Sequence, residues 1–154
     1  MRKSRFFWRI VALVLAVATS CTEKEEAILP DYVGCWQLIS YCGAPAEVEL
    51  YINFKADSKF TILQRNNTWG YIEYNGKYIA NEESCTLSGA YNDGQKWVSD
   101  YMYCLNRDSK EELVLTSADE RAEVSVYKSV NSMPSGGIVN KVCRLSDAEN
   151  KKPL

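Results

Sequence analysis

Six cysteines and no histidine bound the chemistry open to this chain of 154 residues. Without an imidazole there is no Ser-His-Asp or Cys-His catalytic set, no histidine-based zinc site and no histidine pH switch. The cysteines at 21, 35, 42, 85, 104 and 143 form no C-x-x-C, which disfavours redox and zinc roles. Glu47 and Glu49 share one strand face and Glu111-Glu112 falls at a turn, a scatter unlike the paired carboxylates of glycoside hydrolysis. Ser135-Gly136-Gly137 lacks the lysine and the preceding strand of a phosphate-cradling loop. The expectation is a protein that is not an enzyme and needs no metal or cofactor.

Charge narrows the partners. The chain carries 18 Lys+Arg and 20 Asp+Glu. Four of the cations (Arg2, Lys3, Arg5 and Arg9) lie in the first twenty residues, so the remainder has 14 cations, 20 anions and a net charge of −6. Phosphate affinity needs concentrated positive surface, so no nucleic-acid partner is expected.

The cations of the N-terminus precede an apolar run of nine, Ile10 to Ala18, too short for an ordinary membrane-spanning helix. A charged start, a short apolar run and small residues form the secretory-signal pattern. Ala18-Thr19-Ser20-Cys21 then resembles the lipobox of bacterial lipoprotein precursors. That resemblance implies cleavage before Cys21 and a lipid on Cys21 that anchors the protein to the outer membrane. Several acyl chains on one residue give stable anchoring where a single chain is marginal. Thr22-Glu-Lys-Glu-Glu26 reads as a solvated tether, and it also resembles the surface-export signal of Bacteroidetes-type lipoproteins. Surface display and a periplasm-facing position both stay open. The organisation is then a signal peptide over 1–20, a lipidated acidic tether over 21–30, a folded domain over 31–130 and a C-terminal segment over 131–154.

Period two dominates from Val33 to Val130. Candidate strands are Cys35–Tyr41, Val48–Phe54, Lys59–Gln64, Trp69–Tyr74, Lys77–Ala80, Ser84–Tyr91, Trp97–Leu105, Glu112–Ser117 and Ala122–Lys128. Asn75-Gly76 is either a hairpin turn or a bulge inside one long strand, so the count is nine or eight. Tight sequential hairpins without a long crossover favour an up-and-down antiparallel barrel, which has no sheet edges, over a two-sheet sandwich. After Val130, Ile138, Val139, Val142 and Leu145 recur at helical spacing and suggest a short C-terminal helix against the barrel, although Gly136 and Gly137 weaken it.

Gly34-Cys35-Trp36 at the start of the first strand is the G-x-W pattern of lipocalins, in which the indole plugs one end of the barrel. Phe54-Lys-Ala-Asp-Ser-Lys-Phe60, Gly76-Lys-Tyr78, Glu112-Leu-Val-Leu-Thr-Ser117 and Val126-Tyr-Lys128 resemble segments of the small lipocalin-like domains of Bacteroidetes-type lipoproteins. The resemblance covers roughly Asp31 to Val130. It implies an eight-stranded barrel and transfers no particular ligand, because the chain departs from the animal lipocalins. Ser99-Asp100-Tyr101 only hints at their T-D-Y block, and the arginine stacked on their tryptophan has Lys128 as its nearest counterpart.

Parity picks the interior. Val48, Leu50, Ile52 and Phe54 share one face, as do Phe60 and Ile62, and both sets are expected inside. In the later hairpin of Ser84–Tyr91 and Trp97–Leu105, a register with Cys85 opposite Cys104 puts Leu87 across from Met102, Gly89 from Asp100 and Tyr91 from Val98. Asp100 marks that face as outer, leaving Thr86, Ser88, Ala90, Trp97, Ser99, Tyr101 and Tyr103 inside. The same register makes Cys85–Cys104 the favoured disulfide, with Cys143 free to pair with Cys35 or Cys42.

An eight-stranded barrel is just wide enough to be filled by its own side chains or to hold one small guest. Two functions follow. The first is a lipid-anchored barrel that binds a small hydrophobic or amphipathic molecule through Leu50, Ile52, Phe54, Phe60, Ile62, Tyr101 and Tyr103, with Trp36 sealing the closed end. The second is a filled barrel that acts on a protein partner, as a hydrolase inhibitor or an accessory subunit, through Cys42–Ala46 and Arg65–Trp69.

Overall fold

The computed structural model describes residues 30–66, 70–105, 111–138 and 152–154. Alternating residues build nine strands in that span: β1 (Gly34–Tyr41), β2 (Ala44–Pro45), β3 (Leu50–Phe54), β4 (Lys59–Asn66), β5 (Gly70–Asn81), β6 (Thr86–Tyr91), β7 (Tyr101–Leu105), β8 (Glu112–Ser117) and β9 (Val124–Val130). Every pairing between them is antiparallel and, apart from the two-residue stub β2, each strand lies beside the next in sequence. Pairing of β1 with β9, from Cys35↔Val130 to Tyr41↔Ser125, closes an eight-stranded barrel. Closure leaves no long unpaired edge, which answers the aggregation hazard of so much strand.

Alternation fixes which residues point inward. On β3 and β4, Leu50, Ile52, Phe54, Phe60 and Ile62 are buried, with Ile52 opposite Ile62 and Phe54 opposite Phe60. Val48 differs from expectation. It precedes the first ladder residue of β3 and is 40% exposed, so strand parity does not reach it.

Asn75-Gly76 lies inside one long strand and turns nothing, so the barrel has eight strands. Gly76 pairs with Phe60 on one side and Tyr91 on the other. Its role is close approach, because a Cβ there would lie 2.2 Å from the Ala90 carbonyl oxygen and 2.6 Å from the Phe60 ring.

The hairpin of β6 and β7 corrects the expected register by one residue. Thr86 pairs with Met102 and Leu87 with Tyr101, and the Tyr103 amide donates to the Cys85 carbonyl at 2.9 Å. Cys85 therefore faces Tyr103, and a one-residue slip moves every side chain of a strand to the other face. Leu87 and Tyr91, expected outside, are buried, while Tyr101 and Tyr103 pack inward as expected. The cause is local. Cys85 has φ +50°, a turn conformation that ends the connection and starts β6 at Thr86, and Asp100 sits exposed in the loop before β7.

The disulfide falls with the register. Cys35, Cys42, Cys85 and Cys104 are all free, and Cys85 and Cys104 are both exposed. Cys21 and Cys143 lie outside the described residues, as do the signal segment and the tether. Alkylation of the native chain with a maleimide is expected to label Cys42, Cys85 and Cys104. Peptide mapping that finds Cys85 and Cys104 protected together until reduction would overturn this register.

There is no helix among the described residues after Val130. Gly137 has φ +75°, its carbonyl accepts from the Tyr71 amide at 2.7 Å, and Ile138 bridges Tyr71 in parallel. Two glycines cost a helix nucleus dearly, and this backbone satisfies itself on the start of β5 instead. Val139, Val142 and Leu145 lie outside the described residues.

Candidate functional site

The barrel ends differ in chemistry. The end that carries the start of β1 and the Lys55–Ser58 turn is sealed by hydrocarbon and aromatic rings. Trp36 is buried there, and its indole N–H donates to the Tyr32 carbonyl at 2.8 Å. Tyr32 packs edge-on against Phe54, Tyr78 and Tyr103, with ring centroids 6.3, 6.0 and 4.9 Å away. Such edge-to-face contacts hold aromatic plugs in fixed positions. The Tyr78 hydroxyl donates to the Lys55 carbonyl at 2.7 Å and ties the turn to the wall.

Toward the other end the inward side chains become polar. Gln64 stands between Leu50 and Ile72 in register, and Tyr74, Tyr91, Tyr101, Tyr127, Ser117 and Ser125 follow around the ring. Burial raises the phenols of Tyr91, Tyr101 and Tyr127 above the ordinary value, most strongly at Tyr91 and Tyr127. Among the described residues, Gln64 Oε1 and Trp97 Nε1 are buried without a hydrogen-bond partner. A buried polar atom left unpaired carries a desolvation cost of roughly 1–3 kcal/mol, so these two atoms mark the unmet hydrogen-bonding capacity of the interior.

Trp97 reaches the interior by an irregular route. The Tyr91–Gln95 turn folds back so that the Trp97 amide donates to the Gly89 carbonyl at 2.9 Å. The indole lies flat on Gly89, where a Cβ would come within 2.5 Å of the ring. It stands 5.2 Å from Phe60 and 6.0 Å from Tyr101, centroid to centroid. A cleft of about 520 Å³ opens beside it on the outer wall, between Lys77, Ile79, Ala90, Lys96 and Trp97.

One residue fills the barrel from outside the ladder. Leu154 is 2% exposed and belongs to the buried cluster of Trp36, Ile52, Phe60, Tyr91 and Tyr127. Its amide donates to the Tyr91 hydroxyl at 3.0 Å, and that hydroxyl donates to the Leu154 carbonyl at 3.0 Å. Nothing in the strand pattern announces this contact. The only sequence signal is an aliphatic residue ending the polar stretch Ala148–Leu154.

The residues expected to bind a guest thus divide into two groups. Trp36, Leu50, Ile52, Phe54, Phe60 and Ile62 are packed wall and floor, and Tyr101 and Tyr103 are half-buried against them. Sequence reasoning missed Gln64, Tyr74, Tyr91, Tyr127 and Leu154. Of the carboxylates, Glu49 accepts from the Tyr71 hydroxyl at 2.6 Å and the Tyr51 hydroxyl at 2.9 Å. The Tyr71 bond, above all, holds it below the ordinary range, which suits a fixed structural acceptor and not a proton donor.

The phenols make the fold sensitive to alkali. Burial pushes Tyr78 up to about 12 and Tyr91 and Tyr127 higher still. A raised folded value means the folded state holds the proton more tightly. This contribution to stability is complete below the unfolded phenol value of about 10 and is lost as pH rises through the folded values. Phenolate absorbance is therefore expected to rise in two stages, the later one coinciding with loss of the barrel's circular dichroism. A single titration of all ten tyrosines near pH 10 would contradict the burial seen here.

No protein-family model matches the chain, and no curated protein matches it. Among solved structures it is similar to an NMR structure of a protein from Bacteroides uniformis ATCC 8492. The TM-score is 0.52 at 14% identity, over 67% of this chain and 92% of that one. At that identity the likeness concerns the fold alone, an all-β closed barrel.

Proposed function

We propose that this is a lipid-anchored outer-membrane protein whose barrel binds and carries a small amphipathic molecule. The anchor is the lipid on Cys21 implied by Ala18-Thr19-Ser20-Cys21. The guest takes the place of Leu154 in the polar half of the barrel, with its apolar part against Phe60 and Ile72 and its polar groups toward Gln64, Trp97 and the phenols. Leu154 carries this reading. The strand side chains alone leave room for an aliphatic group and for the amide that goes with it. An apolar wall with a few convergent polar groups is the usual character of a small-molecule site.

The test is intact mass spectrometry of the protein extracted from its membrane in mild detergent, first natively and then after denaturation. A non-covalent mass lost on denaturation is the expected result, together with tryptophan emission that responds to amphipathic ligands. A bare native mass with emission unmoved across a broad panel would overturn the reading.

A second reading has its own observation. Ile79 and Met102 are exposed on the outer face of β5 and β7, and Val98 is exposed beside Trp97. This apolar surface suits an interaction module that meets another protein. Membrane pull-downs that recover no stoichiometric partner would remove it.

A further inference from the structure

The way residues 152–154 sit in the barrel has the form of peptide recognition. Three chemically different contacts are made by one short stretch. The Leu154 side chain enters the apolar cluster. Its own N–H and C=O are both read by a single hydroxyl, that of Tyr91. Two residues earlier, the Lys152 ammonium pairs with the Asp93 carboxylate and lies 4.5 Å from the centroid of the Tyr91 ring. Pro153 between them has no N–H to satisfy and favours an extended chain.

The receiving groups belong to the barrel, not to the tail. Tyr91 ends β6 and Asp93 lies in the turn that follows. A cleft of about 280 Å³ at this rim is walled by Glu73, Asn75, Asn92, Asp93 and Lys152 itself, with the Asp93 carboxylate as the partner of the cation. The Lys152 side chain is only 9% exposed there. A cation over an aromatic face with a carboxylate beside it is a specific recognition device, stronger when partly desolvated.

We infer that the polar end of the barrel is a peptide-binding site for a basic–x–aliphatic segment, held in cis by Lys152-Pro153-Leu154. This rests on the reading that the barrel takes a guest, and it names the guest's class: a short cationic peptide with an aliphatic residue two positions on. A tethered ligand acts at an effective concentration in the millimolar range, so a free peptide of equal intrinsic affinity is excluded until the cis segment leaves.

The test uses the full chain with Lys152→Glu and Leu154→Asp together, which removes both cis anchors. The probe is a fluorescein-labelled peptide of residues 148–154. The double variant is expected to bind it saturably, and the unaltered chain at least about tenfold more weakly because its own tail competes. Adding Tyr91→Phe or Asp93→Lys to the double variant is expected to weaken binding by about tenfold, as is reversing the order of lysine and leucine in the peptide. If the double variant does not fold, Lys152→Glu alone removes only the rim contact and is expected to raise peptide affinity several-fold over the unaltered chain.

A folded double variant that binds no peptide, or binds the reversed peptide equally well, overturns the inference. Small amphipathic molecules tested on the same variant separate the two readings. Their binding without peptide binding overturns the inference alone, and failure of both overturns the proposed function as well.

Discussion

A chain with Phe60→Ala is expected to lose about 3–5 kcal/mol of stability and to melt at least about 10 °C lower. Phe60 is 1% exposed and stands where four elements meet. Its ring lies 5.5 Å from Tyr91 and 5.2 Å from Trp97, opposite Phe54 on β3 and over Gly76 on β5. Removing the ring forfeits its burial and leaves a void that the walls cannot close, because ladders hold both neighbouring strands. The void also adjoins the seam of β6 and β7, where only two residue pairs are formed. Urea unfolding followed by tryptophan emission reads the change directly. Ile79→Ala is the control: Ile79 is 73% exposed on the outer face, and a shift beyond about 0.5 kcal/mol is not expected. A Phe60 loss no larger than that of Ile79 would mean the interior is not packed as described.

Gly76→Ala is expected to cost about 3 kcal/mol although it adds a single methyl group. The Cβ would meet the Ala90 carbonyl oxygen at 2.2 Å, and that atom belongs to the backbone of β6. Relief requires moving β6 away from β5 at the Gly76↔Tyr91 pair, which also displaces the hydroxyl that holds Leu154. The variant should therefore show a lower unfolding midpoint and, separately, weaker docking of residues 152–154. The second effect is readable as faster amide exchange at Leu154. Phe60→Leu in the same chain is expected to restore little, because it relieves the ring contact at 2.6 Å and leaves the carbonyl clash in place. Full rescue by Phe60→Leu would show that the ring, not the backbone, sets the requirement for glycine.

Gly76 also shows how far a local signal carries. Asn-Gly between alternating segments reads equally as a turn or as an irregularity in one strand. The chain runs straight through because Phe60 and Ala90 claim the space beside it. A glycine demanded by close approach looks the same in sequence as one demanded by a positive φ.

Where one face of a strand is apolar and the other polar, the sequence was enough. Leu50, Ile52 and Phe54 alternate with Tyr51 and Asn53, Phe60 and Ile62 with Lys59 and Thr61, and both strands bury the face that this pattern names. The all-β class and the order of hairpins follow from the same local physics, since burial of alternate residues and short turns leave few other arrangements. Between β6 and β7 the pattern is ambiguous, because Thr86, Ser88 and Ala90 suit an interior almost as well as Leu87, Gly89 and Tyr91. There the tertiary structure chose. A left-handed residue at Cys85 set where β6 begins, and Trp97 took the surface that Gly89 leaves bare. That choice separated Cys85 from Cys104 and turned Tyr91 toward the inside. The polar end of the barrel was, apart from Tyr101, likewise beyond reach of the sequence, for it consists of phenols from four strands and a leucine 63 residues from the hydroxyl that holds it. Periodicity reports which face of a strand is wet, a property of neighbours along the chain. Register and the filling of the interior depend on contacts between distant segments, and only the closed barrel brings those together.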